Sequence, residues 1–270
     1  MAYTPATGFL LRWLFMHRLD DMLPRISSDT ALFLDFDGTL VELAAQPEAV
    51  RVPSTLTGTL AALYGQLDGA LAMVSGRRLL DLDGFLAPLQ LPAAAEHGAQ
   101  RRNGQGQMIS APATDLRHVL VAAEALVQQY PGLRLEHKNL ALSLHYRHAP
   151  ELESLCLQVM QAAVAQSQGL QLMQGKCVID LKPGGVSKGT AIAAFMAEAP
   201  FAGRIPVFAG DDVTDEDGFR EVQRLGGHAI KVGAGPTVAQ HRCSDVAALT
   251  QWLHSAFSVA MVLPAEGLPS

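Results

Sequence analysis

A chain of 270 residues with 49% hydrophobic and 17% charged residues has the balance of a folded polypeptide, long enough for one large domain or a core with a smaller insert. A formal net charge of -6, with no sustained Lys/Arg block, argues against nucleic acid as a partner. Three scattered cysteines, Cys156, Cys177 and Cys243, suggest neither a disulfide framework nor a zinc cluster, so a reducing cytoplasm is expected.

In chain order, the first feature is the apolar stretch 9–16. Arg12 interrupts it, it is shorter than the roughly 20 residues a spanning helix needs, and no small-residue cleavage site follows. A helix lying on the domain is expected, with a membrane-surface helix as the alternative; no membrane partner is predicted. Beyond it, runs rich in Val, Ile, Leu and Phe alternate with Ala-rich segments of helical period, the pattern of parallel strands joined by crossover helices. Core strands are expected at 31–34, 70–74, 91–95, 205–209 and 228–231. Four of them end in polar or glycine-containing turns. Because ligands of an open parallel sheet bind beyond the carboxyl ends of its strands, those turns imply one shared site.

The middle of the chain breaks this pattern. A helical run at 113–130 precedes two strand-like runs, and a second at 151–167 precedes two more. An inserted α+β unit is therefore expected over 113–183, between joints at Pro112 and Pro183, leaving 1–112 and 184–270 as the core.

The first chemical motif is Asp35-Phe36-Asp37-Gly38-Thr39, two carboxylates set two residues apart at the end of an apolar strand. Burying them unpartnered is costly, so a cation is expected, and magnesium, which takes hard oxygen ligands, fits best. Asp35 reads as a nucleophile toward phosphorus, and Asp37 as the acid that protonates the leaving oxygen and then activates water. Gly38 permits the sharp turn, and Thr39 offers a hydroxyl donor. The segment resembles the first motif of the haloacid dehalogenase superfamily of phosphotransferases.

Ser75-Gly76-Arg77 resembles the second motif of that superfamily, where a strand-end hydroxyl and neighbouring N–H groups hold the transferring phosphoryl. The local alternative is Ser75 capping a helix that begins near Arg77. Lys188, at the head of an Ala-rich helix, resembles the third-motif lysine; a cation there opposes the helix dipole unless an anion lies close. Asp211, Asp212, Asp215 and Glu216 crowd four acids into six residues after an apolar strand, which calls for a cation or full solvation. The resemblance implies that Asp211 completes a magnesium shell with Asp35 and the backbone carbonyl of Asp37, while Asp212 and Asp215 act through water or orient the ligands. Thr214 with Asp217 also reads as a helix capping box.

In the middle segment, a two-residue period sets Leu140, Leu142 and Leu144 against Ser143, His145 and Arg147. It likewise sets Leu133, Leu135 and His137 against Arg134, Glu136 and Lys138, and Cys177, Ile179 and Leu181 against Lys176, Asp180 and Lys182. One face is apolar enough for two helices to cover. The charged face suits a hydroxyl-rich sugar phosphate, with a merely solvated face as the alternative.

Glu96-His97-Gly98-Ala99, Glu136-His137-Lys138, Leu144-His145-Tyr146-Arg147, Gly175-Lys176 and Lys182-Pro183 resemble trehalose-6-phosphate phosphatases in order and spacing. The resemblance implies an α/β fold, a Rossmann-like parallel-sheet haloacid dehalogenase core with an inserted α+β cap. It implies Mg2+-dependent hydrolysis of trehalose 6-phosphate through an aspartyl-phosphate, in the cytoplasm. Substrate contacts are carried onto Gly38, Thr39, Gly76, Arg77, Glu96, His97, Lys138, Arg147, Lys176, Asp180 and Lys182. Asp180 stands where the family usually has glutamate, which bears on disaccharide selectivity. Another phosphosugar, such as sucrose phosphate or a hexose phosphate, is the alternative substrate, and a non-catalytic sugar-phosphate-binding module the alternative class. The sequence carries no signal of oligomeric state and is compatible with a monomer.

Overall fold

The computed structural model describes residues 23–44 and 49–260; the apolar stretch 9–16 lies outside the described residues. Its organising element is β1 (Thr30–Leu34), whose five residues are all buried. Such a run needs cover on both faces and neighbours on both edges, which a parallel sheet layered with helices supplies. β2 (Leu71–Val74) lies on one side and β10 (Ile205–Gly210) on the other, both parallel to β1, followed outward by β11 (His228–Val232) and β12 (His241–Cys243). On the β2 side come β3 (Ala93–Ala95), parallel, then β4 (Gln100–Arg102) and β5 (Met108–Ser110), antiparallel, giving the order β12-β11-β10-β1-β2-β3-β4-β5.

Register decides where the chemistry emerges. Leu34 is level with Ala209 of β10 and Met73 of β2, so the residues that follow, Asp35, Ser75 and Asp211, leave the sheet at one edge. The core beneath them is aromatic: Phe33 stacks on Phe201 at 5.4 Å between ring centroids, Phe195 tilts against Phe201 at 5.0 Å, and Phe208 meets Phe219 at 5.3 Å. Phe195 comes from α5 (Lys188–Met196) and Phe219 from α6 (Glu216–Arg224). α6 approaches β10 closely enough that a Cβ on Gly218 would lie 2.4 Å from the Phe208 ring. α1 (Leu56–Gln66), α2 (Leu79–Leu86) and α7 (Val246–Ala260) complete the helices of this layer.

β4, β5 and β12 were not expected. β4 is Gln-Arg-Arg, without apolar alternation, because its arginines are satisfied by carboxylates: Arg101 by Glu198 at 2.7 and 3.0 Å, Arg102 by Asp83 at 2.6 and 2.8 Å. Charge near a sheet edge is tolerated where it is expensive at the centre.

Residues 117–183 build a second sheet. α3 (Arg117–Gln129) is followed by β6 (Arg134–His137) and β7 (Leu142–His145), and α4 (Glu153–Ala165) by β8 (Leu170–Gly175) and β9 (Val178–Pro183). The strands are antiparallel in the order β6-β7-β9-β8. The two helices cover one face, where Val119, Ala123, Leu126, Cys156 and Met160 join Leu142, Leu144, Ile179 and Leu181 in a separate apolar core. Leu140, Arg147, Lys176 and Cys177, assigned from the sequence to strand faces, lie in the connecting turns instead, and Leu133 and Lys138 fall just outside β6. Cys177 there has φ +62°, a turn conformation that a strand residue does not adopt. No helix among the described residues is long and apolar enough to cross a membrane.

Phe33→Ala should remove the centre of the aromatic cluster and cost about 3–5 kcal/mol of stability, read as a lower urea midpoint in far-UV circular dichroism.

Candidate active site

Asp35 continues the line of β1, its N–H donating to the Ala209 carbonyl at 3.0 Å, and its carboxylate is 4% exposed as a residue. Lys188, the first residue of α5, reaches back to it: Nζ donates to Asp35 Oδ1 at 2.8 Å and to Asp215 Oδ1 at 2.7 Å. The opposed helix dipole is thus answered by two anions. Ser187 starts that helix with a reciprocal capping box to Thr190, which fixes where Lys188 begins. Burial disfavours the Lys188 charge, but Asp215 and Asp35 outweigh it and hold its pKa above the ordinary lysine range.

Asp211 completes the group. One carboxylate oxygen from each of Asp35, Asp211 and Asp215 lies within 4.8 Å of the others. Gly38 makes room, since a Cβ there would sit 2.1 Å from the Asp211 carboxylate, and its φ of +74° suits glycine. Thr39 Oγ1 donates to Asp35 Oδ2 at 3.4 Å, and the Lys231 ammonium donates to the Asp211 carbonyl. Burial, then the neighbouring carboxylates, push the Asp35 pKa well above the usual range despite Lys188. Asp211 is pushed up likewise, by burial and by Asp215 and Asp212. One lysine does not balance this cluster, and hard oxygen donors held in a glycine-lined cradle fit a divalent cation of the magnesium type.

Asp37 is turned away from that cluster. Arg77 holds its carboxylate in a fork, Nε to Oδ2 at 2.6 Å and Nη2 to Oδ1 at 2.7 Å, and lies over the rings of Phe85 and Phe36 at 4.8 and 5.6 Å. Ser75 does not cap a helix: α2 begins at Leu79 with no side-chain cap, and Ser75 Oγ accepts the Arg77 N–H at 3.3 Å. Nor do Thr214 and Asp217 form the expected capping box. Asp212 and Asp215 do, Asp215 Oδ2 accepting the N–H groups of Asp211 and Asp212 at 3.0 and 2.9 Å. Asp215 is therefore a fully buried member of the carboxylate cluster, closer to its centre than the sequence suggested.

Above these groups opens a cavity of about 770 Å³, floored by Asp35, Asp37, Ser75, Gly76, Arg77, Lys188, Asp211 and Asp212 and roofed by the polar face of the second sheet. Lys138, Arg147, Lys176, Asp180 and His97 line it, with Arg134 and the Glu136–His145 pair, joined at 2.9 Å. Four residues carried over as substrate contacts fall outside the lining. Gly38 and Thr39 shape the carboxylate cradle. Glu96 is fully buried and accepts the N–H groups of Asn139 and Leu140 at 3.0 and 2.8 Å. Lys182 is also buried, donating to the Val186 carbonyl at 2.6 Å, and burial lowers its pKa to about 8.

Asp180 is engaged within the protein. Its Oδ1 accepts from Lys138 Nζ at 3.2 Å and from the Ser143 hydroxyl, and its Oδ2 faces His97 Nε2 at 3.3 Å. Burial lowers the His97 pKa despite Asp180, which suits a neutral ring donating from Nε2 and leaves the buried Nδ1 without a partner. Burial pushes the Asp180 carboxyl up, but Lys138, His97 and Ser143 prevail and hold it well below the usual range. Lys231, the Arg78–Asp81 pair at 2.8 Å and the Phe85 wall escaped sequence reasoning. Of these only Lys231 left a trace, a lysine inside an otherwise apolar strand.

Acids, a hydroxyl and a lysine at the ends of parallel strands, under an inserted α+β layer, define a phosphatase, and a solved phosphatase of the haloacid dehalogenase superfamily, 16% identical with a TM-score of 0.57, shares the fold. The chain belongs to the trehalose-phosphatase family, whose model matches residues 33–250. It is similar to the trehalose-6-phosphate phosphatase of Escherichia coli, 45% identical over 232 residues, which cover 85% of this chain and 87% of that one. A probable trehalose-phosphate phosphatase of Sinorhizobium fredii is 41% identical over 219 residues, 79% of this chain and 83% of the relative. Among solved structures, the C-terminal domain of the C. albicans trehalose-6-phosphate phosphatase aligns with a TM-score of 0.78 at 21% identity, over 92% of this chain and 96% of that chain, a likeness of fold.

The depressed Asp180 pKa has a sign. Its contribution to stability is present above the unfolded carboxyl pKa, about 4, and is lost as pH falls through that value toward the folded one. The melting-temperature gap between wild type and Asp180→Asn should therefore be widest near pH 7 and shrink below about pH 4. A gap that stays constant down to about pH 2.5 contradicts the assignment.

Proposed function

We propose that the protein hydrolyses trehalose 6-phosphate to trehalose and phosphate through an aspartyl-phosphate on Asp35, working with Mg2+ in the cytoplasm. The observation that carries this reading is the cluster of buried Asp35, Lys188 and Asp215 with half-buried Asp211, beneath a polar cavity wide enough for a disaccharide phosphate. Family membership and the names of the similar enzymes supply the substrate.

In this reading an Asp35 carboxylate oxygen attacks phosphorus, and the bond from phosphorus to the sugar oxygen breaks. Asp37, protonated and released from the Arg77 fork when substrate enters, gives its proton to the departing oxygen. It then takes a proton from the water that attacks the acyl phosphate, which frees phosphate and restores Asp35. Ser75 and the Gly76 N–H hold the phosphoryl oxygens, and Lys188 balances the charge of Asp35 throughout. Asp35, Asp211 and Asp215 would hold magnesium, with Asp212 beside them, and the ion would supply charge neutralisation of the phosphoryl oxygens.

Residues 113–183 act as the cap that decides the substrate, with the sugar hydroxyls met by Lys138, Arg147 and Lys176 from above. A second reading, another phosphosugar, is favoured by one observation: Asp180 spends both carboxylate oxygens on Lys138, Ser143 and His97. Its shorter side chain leaves less reach toward a sugar than glutamate would.

Phosphate release in magnesium, ranked by kcat/KM across trehalose 6-phosphate, sucrose phosphate and hexose phosphates, should place trehalose 6-phosphate first by at least about tenfold; a different leader replaces the substrate. Asp35→Asn should lose at least about a thousandfold in kcat with the fold intact. Substantial turnover in that variant removes the covalent route. Magnesium added to chelator-treated wild type should raise its melting temperature, and Asp211→Asn should blunt the rise.

A further inference from the structure

We propose that Glu96 is a positioning residue that fastens the turn between β6 and β7 onto the catalytic loops, so that Lys138 is held against the Gly76 carbonyl beside the phosphoryl site. Its consequence for turnover rests on the phosphatase reading above. Glu96 follows β3 directly, is fully buried and does not line the cavity, so any effect on the reaction must pass through other residues. Its backbone has φ +49°, and that of His97 +57°, a left-handed conformation that non-glycine residues hold only where their surroundings enforce it.

The enforcement is visible on both sides. From the core, Glu96 N–H donates to the Arg77 carbonyl at 2.9 Å and His97 N–H to the Ser75 carbonyl at 3.0 Å, tying this turn to the Ser75-Gly76-Arg77 loop. A Cβ on Gly76 would meet the His97 ring at 2.5 Å, so the two loops touch without slack. From the second sheet, the Glu96 carboxylate takes the consecutive N–H groups of Asn139 and Leu140 at 3.0 and 2.8 Å. A carboxylate in this role makes charge-assisted hydrogen bonds to groups that a neutral side chain would hold more weakly.

Lys138 immediately precedes that grip. Its Nζ reaches the Gly76 carbonyl at 2.9 Å and Asp180 at 3.2 Å, and Asp180 in turn meets His97. Glu96, Lys138 and His97–Asp180 thus form three links across one seam between the sheets. Glu96 sets the turn from which Lys138 extends. The fastening lies behind the cavity, so it can couple seating of the cap to the position of Lys138 on the cavity wall without touching the substrate.

Glu96→Gln keeps the shape, removes the charge and offers a single acceptor oxygen to two N–H groups. By amide hydrogen exchange, Asn139 and Leu140 should exchange about 10- to 100-fold faster in the variant, with β1 and β10 amides unchanged. Its kcat/KM for trehalose 6-phosphate should fall at least about tenfold, while p-nitrophenyl phosphate, too small to engage the second sheet, changes less than about twofold. Unchanged exchange at 139 and 140, or equal losses on both esters, overturns the proposal. Should the variant fail to fold, wild type alone decides: these two amides should exchange at least about a hundredfold slower than free-peptide rates, and near-free rates overturn the proposal. A wild type inactive on trehalose 6-phosphate but with slow amides at 139 and 140 would sink the substrate assignment and leave the fastening standing.

Discussion

Among the described residues, Lys188 is the side-chain cation that hydrogen-bonds to the buried carboxylates of Asp35 and Asp215, and Asp211 stands beside them. Two buried acids and a half-buried third, with Lys188 between two of them and Lys231 on the Asp211 carbonyl, form an arrangement that folding alone does not favour, because desolvation of the charges costs more than the two lysines return. The surrounding architecture is what makes the cluster tolerable. Parallel strands end level, α5 begins at a capped serine so that its first residue faces the strand ends, and Gly38 leaves the space a side chain would fill. The excess negative charge is then poised for something cationic, and for a phosphoryl group that arrives with its charge partly neutralised.

Asp35 and Asp37, two residues apart, have different surroundings, which is what suits them to the two ends of the proposed reaction. Asp35 is buried against Lys188, whereas Asp37 lies across the turn in the fork of Arg77, whose guanidinium rests on Phe85 and Phe36. That aromatic support fixes the arginine, and the arginine fixes the acid. The support behind Asp37 therefore extends into α2, a helix whose sequence carries no motif.

The second sheet divides its polar face between binding and attachment. Lys176, Arg147 and the Glu136–His145 pair look into the cavity, whereas Glu96, Asp180 and Lys138 are spent largely on joining the sheets. A glutamate at position 180 would reach further into the cavity; aspartate instead nests among Ser143, His97 and Lys138.

Much of this was legible along the chain. Apolar runs ending in acids located β1 and β10, the doubled helix–strand–strand pattern marked the second sheet, and the resemblance of the Asp35, Ser75, Lys188 and Asp211 motifs to a known family pointed to residues that line one cavity. These signals are local, set by side-chain period and by the cost of burying charge, so a single segment suffices to read them. What tertiary structure alone decided was partnership: Asp215 at the heart of the carboxylates, Asp37 claimed by Arg77, Glu96 gripping backbone rather than sugar, and Arg101 and Arg102 at home in a strand next to the sheet edge. A hydrogen bond between residues 40 or 150 positions apart leaves no periodicity in the sequence. Its energy depends on distance and on the water excluded around it, and both exist only once the sheets have met.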